Sequence, residues 1–508
     1  MRALLFFMLS AAAALAQDGA AIYKAHCASC HDTPTGRVPP VSALRTVAPE
    51  AILQSLERGP MKLQAASLSN AERYAVVTYL ASPAPKSTAS VSATGSCLSP
   101  KQLSTGSSEA PSWSGWGADP ANRRFEKASE AGMGAADVAK LKLQWAFGMG
   151  DGTSVRSQAA IGNGSVFVAS LTGEVNSLEA RTGCVQWTFK AEGTVRSGIS
   201  FAVESGTTRQ PRVYFADDRA NTYALNAATG ALLWKVHVGE HFASLVTGTP
   251  LIERGAVYVP ISSYEEALAA SPTYECCTFR GSVVALDAAT GKCIWKTYTI
   301  AESSQPTTKS KTGVQMRGPS GAAVWSAPTF DEKRNVVYVA TGDNYSAPPT
   351  ATSDAVLALD AKTGKLLWSK QVTPNDVYNM GSNATGHDFD FGQPPILADL
   401  PNGHRALVIG QKSGVVHALD PDRQGEVLWQ TRIGDGGPLG GIQWGSAADA
   451  EKMYVALSDL AMKGVPDKTI PQGYRLELDP NRGGGLFAIQ LTDGKKLWSA
   501  KPSPCGER

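Results

Sequence analysis

One pattern constrains this chain more than any other: a stretch of about twelve residues present in six copies. VALDAATGKCIW spans 284–295, and related copies end at Trp187, Trp234, Trp368, Trp429 and Trp498. The copy at 417–429, HALDPDRQGEVLW, is one residue longer. Each copy reads as an alternating apolar strand, a polar turn closed by Gly, and a second strand ending on Trp. Gly supplies the positive φ that such a hairpin turn needs. The copies lie roughly 45 to 75 residues apart, the spacing of one four-stranded blade with variable loops. The expected fold is therefore mainly β, a β-propeller, with a small all-α domain ahead of it.

Export is expected from the start of the chain. Residues 1–16, MRALLFFMLSAAAALA, have a basic Arg2, a short apolar run and an Ala14-Leu15-Ala16 cleavage pattern, which reads as a signal peptide for the periplasm or secretion. An oxidising compartment suits a chain with 8 cysteines. Beyond residue 16 no apolar run is long enough to span a membrane. A formal net charge of +2 argues against a nucleic-acid partner held by counterion release.

Residues 18–82 have a helical pattern and carry Cys27-Ala28-Ser29-Cys30-His31. C-x-x-C-H is the attachment signature of haem c: two thioethers fix the porphyrin and the adjacent His ligates iron. Met61, in a Gly-Pro loop before a final amphipathic helix, is the expected second iron ligand, and His/Met ligation gives a high-potential electron carrier. His26 reads as a surface residue. This segment resembles the class I cytochrome c family over its whole length. Residues 83–111 have linker composition, rich in Ser, Thr, Ala, Pro and Gly. Cys97 interrupts the linker, and Cys505 is one candidate partner for it. From 112 to 508 the propeller is expected, with LKLQWAF around Trp145 as an early strand.

Repeat residues are read as structural, with the turn Gly, Asp287-type positions and Trp packing blade on blade. Function is sought where the repeat is broken. The first break is GHDFDFG, in which Asp388 and Asp390 flank an aromatic, and Asp390 is a candidate general base. The second is ATGDNYSAPPT, where Asp343 and Asn344 offer hard oxygen donors suited to calcium. The third is ISSYEEALAASPTYECCTFRG, with Glu265, Glu266 and Glu275 as acidic candidates and an adjacent Cys276-Cys277 pair that could close a vicinal disulfide.

The repeat and these insertions together resemble the quinoprotein alcohol dehydrogenases. That resemblance implies a propeller holding pyrroloquinoline quinone and calcium. It assigns the catalytic base to Asp390 and the metal ligands to Glu266 with Asp343 or Asn344. Trp325 falls where the family stacks a Trp beneath the quinone. Arg196 matches the Arg that meets a cofactor carboxylate, and Lys412 the basic residue at the reactive quinone oxygen. Trp444 is expected to line the pocket, and Cys276 and Cys277 to lie against the quinone. Gly392 stands where lanthanide-dependent members have a further Asp, which favours calcium. The implied activity is alcohol oxidation with electrons passed through haem c to an external acceptor, a cytochrome or oxidase chain. Polymeric, short and secondary alcohols all fit. A non-catalytic propeller scaffold tethered to a cytochrome is the alternative, and the acidic insertions argue against it. Family members continue with further repeats where this chain stops at Arg508, so closure with fewer blades, or a truncated form, is expected.

Overall fold

The computed structural model describes residues 19–501, apart from 35–37, 46, 48–51, 54, 57–60, 63, 82–96, 98–112, 150–154, 204–209, 382–385, 461, 467–473 and 479–482. The expected signal peptide, most of the expected linker and Cys505 lie outside these residues. Contacts divide the chain into two units, 1–90 and 91–508.

The first unit is helical, with helices Gly19–His26, Ala28–His31, Val41–Leu44 and Asn70–Ala81. Tyr23, Ile52, Leu56, Val76, Val77 and Leu80 form its core. Gly19 is required where the first and last helices cross, because a Cβ there would meet the Ala75 carbonyl oxygen at 2.0 Å.

The second unit is built from six antiparallel sheets in sequence order, spanning 160–190, 200–237, 251–298, 329–371, 396–432 and 441–500. Each has four main strands, numbered here from first to fourth in chain order. The blades stack through the repeat. Trp234, on the fourth strand of blade 2, donates its indole N–H to the Ala288 carbonyl of blade 3 at 3.0 Å. Its ring covers Gly291 of that blade's turn, where φ is 73° and a Cβ would lie 2.8 Å from the indole. Trp187, Trp295 and Trp429 make the same bond to Ala227, Ala361 and Leu491. Only Gly satisfies both the left-handed turn and the close ring.

Burial follows the stacking. The second strand of blade 4, Val336–Ala340, is buried at every position because blades cover both of its faces. That of blade 6, Lys452–Ser458, buries Met453, Val455 and Leu457 in alternation, the pattern of a strand covered on one face. A strap running from Trp113 to Arg123 ties the first strands together. Trp113 bridges Ile161, while the carbonyls of Ser114, Pro120, Ala121 and Arg123 accept from Phe201, Phe330, Leu397 and Ala448. These partners belong to blades 1, 2, 4, 5 and 6.

Two expectations are corrected here. LKLQWAF forms no ladder, since no described strand lies beside it; Trp145 still docks on Gly183 and donates to the Ala180 carbonyl at 3.0 Å. Cys97 pairs with Cys184, not Cys505, because its amide bonds the Val185 carbonyl at the edge of blade 1.

Candidate active site

Strands of a blade alternate in direction, so connectors between blades and the loop between second and third strands emerge on one side. These loops line a cavity of about 260 Å³. Arg196, Thr247, Trp325 and Asp390 come from connectors, and Glu266, Tyr345 and Lys412 from within-blade loops. The acidic side chains come from the loops of blades 3 and 4 and from the connector into blade 5.

At its centre, the Lys412 ammonium lies 2.5 Å from Asp388 Oδ1 and 2.9 Å from Asp390 Oδ2. It also stands 5.5 Å from the centroid of the Trp325 ring. Asp390 Oδ1 accepts the Asp343 amide at 2.7 Å. One oxygen of Asp390 is thus fixed by backbone and the other by the cation. Gly342 makes room, since a Cβ there would lie 2.5 Å from Asp390 Oδ1. Ligand oxygens of Asp343, Asp388 and Asp390 all fall within 4.8 Å of one another. Both oxygens of Asp343 are buried without a hydrogen-bond partner.

So much negative charge in a buried place shifts protonation. Burial, and then Asp390, push Asp388 up to about 9 against the pull of Lys412. Burial and Asp390 likewise push Glu266 up to about 7, again against Lys412. Asp343 is raised well above the usual carboxylate range by burial, Asp390 and Glu266. Lys412 is raised by the two aspartates, although burial opposes them. Unpartnered oxygens in such a set are the donor chemistry of a hard divalent cation. Arg196 carries a buried Nε with no partner, and burial, then Arg156, push its pKa down to about 10. A guanidinium with an unpartnered Nε, an ammonium and the flat face of Trp325 suit a flat, anionic ligand.

The structure separates the sequence candidates. Asp343 joins the cluster, whereas the Asn344 side chain closes its own loop, donating to the Ser320 carbonyl and accepting the Thr350 amide at 2.7 Å. Asn344 is therefore corrected from candidate ligand to turn lock. Glu266 lines the cavity, while Glu265 turns into the core and accepts from Tyr274 Oη and from the Thr278 and Phe279 amides. Burial works against the Glu265 carboxylate, but His241 and these donors outweigh it and hold its pKa below the ordinary value. Glu275 is 60% exposed and faces Arg317.

Cys276 and Cys277 are joined. They do not line the cavity; they pack in the core with Phe279, Ala323 and Tyr345, the last two of which do line it. The Glu265 clamp on the following two amides, and paired backbone bonds with Arg317, hold the disulfide there. Trp444 does not line the cavity either. It meets Trp325 edge-on at 5.5 Å and lies 4.7 Å beneath the Arg196 guanidinium, so it backs both residues. Gly392 is fixed by packing, since a Cβ would lie 2.5 Å from the Trp325 ring.

Three buried residues were not singled out from sequence. Tyr345 lines the cavity. Asp354 has both carboxylate oxygens without a partner, at φ 47°. Asp376 gathers three backbone amides of the His387–Phe389 run. A carboxylate placed by tertiary contacts leaves no motif in the sequence.

In the first unit, Cys27, Cys30, His31 and Met61 line one cavity of about 550 Å³, walled by Val38, Leu44, Ile52, Leu56, Leu68 and Val76. His31 Nδ1 is 2.7 Å from the Pro39 carbonyl oxygen. That bond leaves the other ring nitrogen for a metal, the usual device of a ligating His. An apolar slot with two thiols, an imidazole and a thioether fits a covalently held haem.

Comparison with known proteins finds a match for each of the two units. Residues 113–434 match the family model "Glucose/ethanol/alcohol dehydrogenase, beta-propeller domain", and residues 14–80 match "Cytochrome C oxidase, cbb3-type, subunit III". A polyvinylalcohol dehydrogenase from a Pseudomonas species is 38% identical over 96% of this chain and 77% of its own length. Another from a Sphingopyxis species is 36% identical over 96% of this chain and 76% of its own. Among solved structures, a europium-containing methanol dehydrogenase superposes with a TM-score of 0.57 at 18% identity, over 77% of this chain and 78% of that one.

Proposed function

This chain belongs to the quinoprotein alcohol dehydrogenase family and carries a cytochrome c domain ahead of its propeller, and from that premise we propose that it is an exported quinohaemoprotein oxidising an alcohol. A polymeric secondary alcohol is the substrate favoured by the two relatives named polyvinylalcohol dehydrogenase. Pyrroloquinoline quinone and calcium belong in the propeller cavity, haem c in the helical unit, and an external cytochrome or oxidase chain beyond it. When bound, the quinone would supply a two-electron acceptor, calcium Lewis-acid polarisation, and haem one-electron transfer onward.

The observation that carries this reading is the Asp388–Lys412–Asp390 triad above Trp325, beside an Asp343 carboxylate with no partner. Asp390 takes the hydroxyl proton of the alcohol. Its Oδ1 is held by the Asp343 amide, so Oδ2 is the oxygen that exchanges Lys412 for that proton. Lys412 supplies the positive charge that stabilises negative charge developing in the transition state. Asp343, Glu266 and Asp388 are the donors that would hold the cation. Arg196 and Trp325 orient the flat ligand from its edge and its face.

Dye-linked oxidation of poly(vinyl alcohol) and of 2-propanol by the purified protein tests this, with and without added quinone and calcium. Turnover that requires both additions is expected. No oxidation of either alcohol in the fully loaded protein overturns the reading.

A further inference from the structure

The segment Asp376–Met380 touches all three acidic loops without lining the cavity. The Asp376 carboxylate is 1% exposed and both of its oxygens are in use. Oδ1 accepts the amides of His387 at 2.6 Å and Asp388 at 3.3 Å, and Oδ2 accepts Phe389 at 2.9 Å. Its backbone carbonyl accepts the Asn344 amide at 3.2 Å, and Tyr378 N–H returns to the Asn344 carbonyl at 2.8 Å. The side chain of Asn379 donates to the Tyr345 carbonyl at 2.7 Å. Met380 N–H reaches the Glu266 carbonyl at 3.3 Å. One five-residue stretch therefore binds the loop of Glu266, the loop of Asp343 and the loop of Asp388 and Asp390.

We propose that Asp376 is a positioning residue that seats the catalytic carboxylates, with the 376–380 backbone aligning the three acidic loops; this rests on the function proposed above. Asp388 has φ 57°, a conformation that side chains other than Gly resist. Three amides converging on one carboxylate hold the backbone there through charge-assisted bonds. Lys412 can then touch Asp388 and Asp390 together only because this backbone points both carboxylates inward. Asp376 itself contacts neither Lys412 nor the cavity, so it acts through its neighbours.

The test compares Asp376→Ala, Asp376→Asn and a control, Asp360→Asn, in the full chain. Asp360 accepts the Thr363 amide and hydroxyl in a repeat turn of blade 4, so its loss weakens a turn away from the cavity. Calcium affinity of the quinone-free protein is read by titration calorimetry, alongside exchange of the 386–390 amides. Loss of supporting contacts around a metal site costs about 10- to 100-fold in affinity. Asp376→Ala should fall in that range and expose the three amides. Asp376→Asn keeps one acceptor oxygen and should recover part of the affinity, while Asp360→Asn should bind calcium like wild type. If Asp376→Ala does not fold, Asp376→Asn decides alone. Wild-type affinity in Asp376→Asn, or in a folded Asp376→Ala, overturns the positioning role and leaves the proposed function standing. If wild type binds no calcium, the positioning role falls, while the proposed function is still decided by alcohol oxidation in the fully loaded protein.

Discussion

Two aspartates two residues apart face one lysine, and their roles differ by what holds them. Asp390 is tied by the Asp343 amide and keeps Oδ2 for exchange, whereas Asp388 sits at positive φ with its carboxyl pushed up to about 9 by burial and Asp390. Asp390→Asn should therefore lose about 10²- to 10⁴-fold in turnover, the usual worth of a positioned base. Asp388→Asn should cost less in rate and more in bound metal. Both variants are to be assayed with quinone and calcium content measured, since lost metal mimics a lost base; a dead Asp388→Asn beside a normal Asp390→Asn would reverse the assignment. Met61 makes a parallel case in the helical unit. Met61→Ala should abolish the sulfur–iron charge-transfer band of the oxidised protein and lower its potential, and an unchanged spectrum would remove Met61 as ligand. Cys27, Cys30 and His31 stood out because haem attachment demands particular residue types at fixed spacing, whereas Asp390 stood out as an acid in a break of the repeat and took its expected role from the family resemblance. Asp376 did not, and Glu265 stood out as an acid but not for its role, because an acid that caps backbone amides is marked only by where the fold brings those amides.

At the scale of the blade, the repeat carried nearly all of the architecture. Its Gly meets two demands, a left-handed turn and a close indole, and two positions separate them. Gly255 has φ 76° and nothing within 4 Å of a built Cβ, while Gly291 has φ 73° with the Trp234 ring at 2.8 Å. Gly255→Ala should cost about 1 kcal/mol, the strain term alone. Gly291→Ala adds the displaced indole and the strained Trp234 bond to Ala288, so it should cost more, toward about 3 kcal/mol. Urea unfolding of both variants checks this, and equal losses would mean that the docked Trp contributes nothing to blade stacking. The strap of 113–123 was illegible for the opposite reason. It has no repeat, and its bonds to five blades are made by backbone groups that any sequence possesses. The short apolar run at Trp145 was read as a strand because alternation describes a strand's faces but not whether a partner lies beside it.

For the whole molecule, the cavity is a place where burial of acidic groups opposes folding. Glu266 and Asp388 are raised to about 7 and about 9, chiefly by burial, and Asp343 and Asp354 are raised as well. These carboxylates thus bind more protons in the folded chain than in the unfolded one between the ordinary carboxylate range, near 4, and about pH 9, outweighing buried His417, whose pKa is pushed down to about 4 by burial. Stability then falls as pH rises through that window, since the slope follows protons bound unfolded minus protons bound folded. The stabilisation is complete below the unfolded values and is lost once the folded values are passed. A cation would remove this cost because it favours the ionised forms, and the ligands proposed for it come from the loops of blades 3 and 4 and the connector into blade 5, so its binding would also cross-link distant parts of the chain. At a hundredfold excess over its dissociation constant, calcium should add about 2.7 kcal/mol. Thermal unfolding of the second unit in EDTA should therefore move to lower temperature from pH 5 to pH 9, and added calcium should flatten that trend, with its largest effect at the alkaline end. An EDTA curve that is flat or rises with pH would mean that these carboxylates ionise freely in the fold, and that the cavity is not built around a missing positive charge.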